Sequence, residues 1–168
     1  MLGTVLKERI DIRSGEFTYG QWLLLIQLFE KNPEPADIMK EEMKILHGYE
    51  LTETDLLFIA AYIRNKESKS ISEEFFKNTL AGYLEEINEG VKFWMEMMAR
   101  ISIPPTPEQE RAKVGDLPRD ATLYALAERF GQDPDTVWNW KFNKVYAILH
   151  SSAEEEKYKR RLQKAMKQ

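Results

Sequence analysis

A mainly α-helical fold is what this sequence predicts: a helical bundle with a short N-terminal strand or hairpin and a small C-terminal helical unit. Three observations point there. From Thr18 onward, apolar residues recur every three or four positions, the period of one helix face. Ser, Thr or Asp precedes several of these runs and Gly follows others, where helix ends need a side-chain acceptor or a left-handed residue. With 168 residues, 43% hydrophobic and 31% charged, the chain can bury a core without staples. Helix should exceed half of all residues, with strand confined to residues 4–18.

Val5-Leu6-Lys7-Glu8-Arg9-Ile10-Asp11-Ile12 alternates imperfectly and meets a turn at Gly15, which reads as a short strand or small hairpin. Thr18 and Gln21 then form a capping-box pair. Trp22, Leu25, Ile26 and Phe29 follow at helical spacing, with Leu24 and Leu28 on another face, the pattern of a central helix. Pro33 and Pro35 open a second helix through Ile38, Met39, Met43 and Leu46, stopped by Gly48. A third starts at Thr52 and runs through Leu56, Ile59, Ala60 and Ile63. Ser70 or Ser72 caps the fourth. In it Leu80, Leu84, Ile87, Val91, Trp94, Met98 and Ile101 make a heptad seam, with a break expected near Asn88-Glu89-Gly90. That seam needs cover, from the first helix or by self-association through Leu80–Ile101.

Residues 102–118 change character. Pro104, Pro105 and Pro107 cannot continue a helix, and the polar run to Pro118 is long for a connection. The chain therefore divides into 1–101, the strand or hairpin plus helical bundle; 102–118, a Pro-rich linker; and 119–168, a helix-turn-helix-like unit with a charged helical tail. In that unit Leu123, Leu126, Ala127 and Phe130 lead to Gly131. A further helix, capped by Asp133 with Pro134 in its first turn, carries Trp138, Phe142, Val145 and Leu149. In the tail, Glu155/Lys159 and Glu156/Arg160 stand at i, i+4, as on a solvated helix.

Charge is uneven around a net of −4: residues 1–116 carry 14 Lys/Arg against 21 Asp/Glu, and residues 117–168 carry 10 against 7. The acidic part speaks against a nucleic-acid face. With no Cys, disulfides, thiol catalysis and cysteine-ligated metals are excluded. The Met1–Gly3 start lacks the features of a secretory leader, and no apolar run, Trp22–Ile26 included, is long enough to span a membrane. A cytoplasmic protein is expected.

Residues for chemistry are sparse. His47 and His150 both fall near predicted helix C-termini, where the dipole favours a cation, so capping or surface roles account for them. Glu41-Glu42, Glu73-Glu74, Glu85-Glu86 and Glu154-Glu155-Glu156 read as solvated helix faces, because neighbours on a helix diverge by about 100°. Phosphate-cradle and nucleophile-elbow patterns are absent. Catalytic residues, metals and cofactors are therefore not expected.

Two patterns remain. Trp138, Trp140, Phe142 and Tyr146 crowd nine residues and span more than one helix face. They either plug or dock the small unit, or form a partner-binding surface, since Trp and Tyr are favoured at interfaces. On a single helix, Trp138 and Phe142 would pack inward and Trp140 and Tyr146 outward. Ala127, Gly131, Val137 and Trp140 also fit a helix-turn-helix corner. A DNA reader needs donors on its second helix, and this one begins Pro134-Asp135-Thr136 with an acid at its tip. A DNA-binding regulator is the alternative reading, and nucleic acid is not the expected partner.

The segment Glu16-Phe17-Thr18-Tyr19-Gly20-Gln21-Trp22, entering an apolar helix, together with Ala127-Glu128-Arg129-Phe130-Gly131, Pro134, Val137, Trp140 and Val145, resembles phage and prophage tail assembly chaperones. The resemblance implies a cytosolic, mainly helical protein. Its implied partners are the tape-measure protein and, in some members, tail-tube subunits. Members are often made as a short and a frameshift-extended product.

Overall fold

Residues 9–31, 35–67, 80–112 and 120–166 are described by the computed structural model. Among them run eight α-helices: α1 (Tyr19–Glu30), α2 (Pro35–His47), α3 (Glu53–Glu67), α4 (Leu80–Ile101), α5 (Pro107–Arg111), α6 (Ala121–Phe130), α7 (Pro134–Trp138) and α8 (Phe142–Met166). The mainly α expectation holds. The N-terminal strand or hairpin does not, among the described residues. Val5–Glu8 of that stretch lies outside them, and Ile12–Ser14 is a 3-10 turn. Asp11 Oδ1 accepts from the amides of Arg13 at 3.0 Å and Ser14 at 3.3 Å, and Gly15 closes the turn at φ 71°. A short carboxylate that bonds its own downstream amides offers the backbone an alternative to a ladder.

The capping box that starts α1 forms as its residues require. Thr18 Oγ1 accepts from Gln21 N at 3.2 Å, and Gln21 Oε1 accepts from Thr18 N at 2.8 Å. The other end of the same amide, Gln21 Nε2, donates to the carbonyls of Ile45 (3.0 Å) and Leu46 (3.2 Å). One side chain thus satisfies orphan groups at the start of α1 and in the last turn of α2. It also fixes how the two helices cross.

Helix α4 runs unbroken through Asn88-Glu89-Gly90. Gly90 is there for room: a Cβ on it would come 2.7 Å from the Ile12 side chain. Of the heptad seam, Leu80, Leu84, Ile87, Val91, Trp94 and Ile101 are buried and Met98 is half-buried. The cover comes chiefly from the 3-10 turn, α8 and α3, while α1 packs on α2, α7 and α8. Among the described residues the seam is thus covered within one chain.

Buried residues from both sides of the Pro-rich stretch belong to one cluster, with Ile12, Phe17, Trp22 and Leu84 beside Leu126, Val137, Phe142 and Val145. Inside the stretch, Thr106 and Gln109 form a second capping box and start the short α5. Residues 113–119 lie outside the description.

Two polar residues depart from their expected places. Glu42 is 0% exposed, not on a solvated face. Position 42 stands i+4 from Ile38 and i−4 from Leu46, so it lies within the stripe that α2 buries. Both Glu42 carboxylate oxygens lack a hydrogen-bond partner among the described residues, and burial pushes the group up to about 8. His47, last in α2, does more than sit at a helix end. Its Nε2 lies 2.7 Å from the hydroxyl of buried Tyr83, which also accepts from Ile10 N at 3.0 Å.

Candidate partner-binding surface

The helix expected from Asp133 through Leu149 is two helices, and the break between them organises the region. Asp133 caps α7 by accepting from Asp135 N at 2.8 Å, and Pro134 fits the first turn. Three residues further on than α7, the backbone is extended at Lys141 and pairs antiparallel with Thr18. Tyr19 N donates to Trp140 O and Phe142 N to Phe17 O, each at 2.8 Å, and Asn143 N donates to Gly15 O at 3.1 Å. Lys141 Nζ adds a bond to Glu16 O at 2.7 Å. These long-range bonds satisfy groups that a continuous helix would have bonded locally, so the tertiary pairing replaces one turn of helix. This isolated bridge is not the strand or hairpin expected at the N-terminus, and its partner lies in the C-terminal unit.

Because of the break, the four aromatic residues do not share one helix, and the inward and outward assignment drawn from a single wheel does not apply. Phe142 is 0% exposed and central to a cluster of rings. It lies 5.0 Å from Phe17 in a stacked pair, 4.6 Å from Trp22, and 5.0 Å edge-on from Trp94. Trp94 is anchored by its indole N–H, which donates to Ile12 O at 2.6 Å. Tyr146 is half-buried, with its ring against the Trp94 edge at 5.0 Å. Trp138 is half-buried and lies flat on Gly20, where any Cβ would overlap the indole. Buried Tyr19 is tied to Thr122 of α6, and burial pushes its hydroxyl up to about 12, a rise the Thr122 bond reduces. Phe142 is therefore structural, and Tyr146 and Trp138 are half committed to packing.

Trp140 differs. Its half-buried ring meets Phe130 at 5.5 Å in a T-shaped pair, and Phe130 itself is 42% exposed. Lys144 Nζ stands 3.7 Å from the centre of the Trp140 ring, and the Arg129 guanidinium lies 5.5 Å from the centre of Phe130. The Gly131 turn, left-handed at φ 60°, and the break at 139–141 hold these rings side by side. The result is an aromatic pair, half-buried at Trp140 and exposed at Phe130, flanked by two cations. Aromatic crowding in the sequence points to Trp140 and not to Phe130, although the Gly131 corner is itself the signal that brings α6 back against residue 140.

The same corner leads into a short second helix. Helix α7 spans only Pro134–Trp138, contains no Lys or Arg, and begins beside Asp133 and Asp135. A recognition helix presents base-edge and phosphate donors from a longer surface.

Among the described residues, no helix is long and apolar enough to cross a membrane. Compared with known proteins, the chain matches no family model, no curated protein and no solved structure.

Proposed function

We propose that this chain is a non-enzymatic protein-binding module, a phage or prophage tail assembly chaperone that binds the tape-measure or tail-tube protein in the host cytoplasm. The observation that carries the protein-binding part is the Phe130–Trp140 pair between Arg129 and Lys144. Trp and Arg are the residues that most often dominate binding energy, and a preorganised aromatic surface loses little entropy on docking. The chaperone part rests on the two stretches that carry the resemblance. They lie far apart in the chain and meet here, Thr18 pairing with Lys141 and Gly20 receiving Trp138.

Co-expression with the tape-measure protein and, separately, the tail-tube protein of the same phage tests the reading. A complex with at least one of them is expected to co-elute on size exclusion. Elution free of both would overturn the chaperone assignment. Retention on a specific DNA duplex at about 150 mM salt, where non-specific phosphate contacts are weakened, would replace it with the DNA-binding reading.

A further inference from the structure

The last helix changes partners along its length. Its inward face runs through Phe142, Val145 and Ala153, which are buried, and ends at Arg160, whose Nη1 donates to Pro104 O at 2.9 Å. Roughly half a turn away around the helix, at about 100° per residue, stand Tyr158, Leu162 and Met166. They repeat at i, i+4 and i+8 and are 60%, 47% and 73% exposed. Upstream, the same outer line carries Ala147 and Ser151. Large apolar side chains thus appear on it only where the helix has passed Ala153. Together with Ala165 the three cover an arc of about 100°, the width of a seam that one helix can cover.

From Lys157 onward, past Glu154-Glu155-Glu156, the margins of this stripe are cationic. Lys157 and Arg161 border one side and Lys159 the other, and residues 157–168 hold six Lys/Arg and no Asp or Glu. Glu154 and Glu156 precede the stretch and pair with Lys157 (2.9 Å) and Arg160 (3.0 Å). From this geometry we infer that residues 157–166 dock an acidic amphipathic helix of a partner protein, with its apolar seam on Tyr158, Leu162 and Met166 and its carboxylates on the cationic margins. A membrane or a nucleic acid fits less well. The apolar arc is narrow and centred on three side chains, and residues 1–116, with 14 cations against 21 anions, would be repelled by an extended polyanion. A single helix touches only the tail.

This inference rests on the protein-binding reading but uses a different surface from Phe130 and Trp140. Its test uses a labelled synthetic peptide of about four heptads, with Leu at the seam and Glu at the flanking positions, and a matched peptide with Lys in place of Glu. Fluorescence anisotropy with the full chain should show binding of the Glu peptide only. The double variant Leu162→Ser/Met166→Ser should weaken binding at least about tenfold, as loss of hot-spot contacts does, while melting at the same temperature as the parent. Equal binding by the double variant, a lowered melting temperature, or binding of neither peptide would overturn the inference. So would tighter binding to phosphatidylserine vesicles or a DNA duplex, or a concentration-dependent dimer that the double variant abolishes. A chain that captures a tail protein yet ignores the Glu peptide loses this inference alone. One that binds the peptide through Leu162 but captures neither tail protein loses the chaperone reading alone.

Discussion

Phe142 and Leu162 sit on the same helix in opposite circumstances. Phe142 is 0% exposed, under the rings of Phe17, Trp22 and Trp94, and its own amide is bonded to Phe17 O. Leu162 is 47% exposed on a face turned away from the body. Both belong to apolar patterns at helical spacing. What separates them is the second segment: residues 15–22 bring rings and backbone groups to the first half of α8, whereas the second half presents its stripe outward. Helical periodicity identifies a face, and only a matching segment elsewhere in the chain decides whether that face is core.

The largest effect that could break this contrast is on stability. Phe142→Ala should cost about 3–5 kcal/mol, the usual penalty for truncating a buried aromatic. Leu162→Ala should stay within about 0.5 kcal/mol, as exposed substitutions do. Urea unfolding of both variants measures this, and similar losses for the two would erase the distinction.

Glu42 sharpens the contrast from the polar side, being a charged residue type on a buried face. Its folded-state value, raised from 4.5 to about 8, means that the folded chain holds a proton the unfolded chain has released between those values. The contribution is therefore fully present below about 4.5 and is lost as pH rises towards about 8, at up to about 1.4 kcal/mol per pH unit. Glu42→Gln should flatten this slope and make the protein more stable than the parent near pH 8. Denaturant midpoints across pH 5–8 (a range of about three units, inside the window) would show it. A parent slope of zero or of opposite sign would place Glu42 in solvent or beside a cation.

A smaller effect is expected where Trp138 lies on Gly20. Gly20→Ala puts a Cβ into the indole and should cost about 1–3 kcal/mol by overpacking, despite the better helix propensity of Ala. An increase in stability would mean that the indole can move aside.

These differences also mark what was legible in the sequence. Local signals held: the Thr18–Gln21 box, the Asp133–Pro134 start, the Gly131 turn and the Leu80–Ile101 stripe all depend on neighbours within a few residues. Non-local pairing was not legible. Nothing near Lys141 announces that Thr18 will pair with it and interrupt the helix, so local spacing puts the aromatic residues on one helix wheel that the fold does not contain. Residue type misled at Glu42, although its spacing from Ile38 and Leu46 placed it on the buried stripe. For the candidate surface, Trp140 could be named from composition, but its partner Phe130 needed the turn to be closed in three dimensions.

The proposed binding role rests on the Phe130–Trp140 pair beside the packed junction. Trp140→Ala tests it most directly, with thermal unfolding and tail-protein capture measured on the same sample. The ring is half-buried at the edge of the core, where Phe130 and Lys144 meet it, and it makes no ring contact with Phe142 among the described residues. The melting temperature should therefore fall by no more than about 4 °C. Capture of the tape-measure or tail-tube protein should weaken by about 2 kcal/mol or more, roughly thirtyfold, as at a binding hot spot. A variant that unfolds, or one that captures its partner as tightly as the parent, would show that Trp140 is not a binding residue.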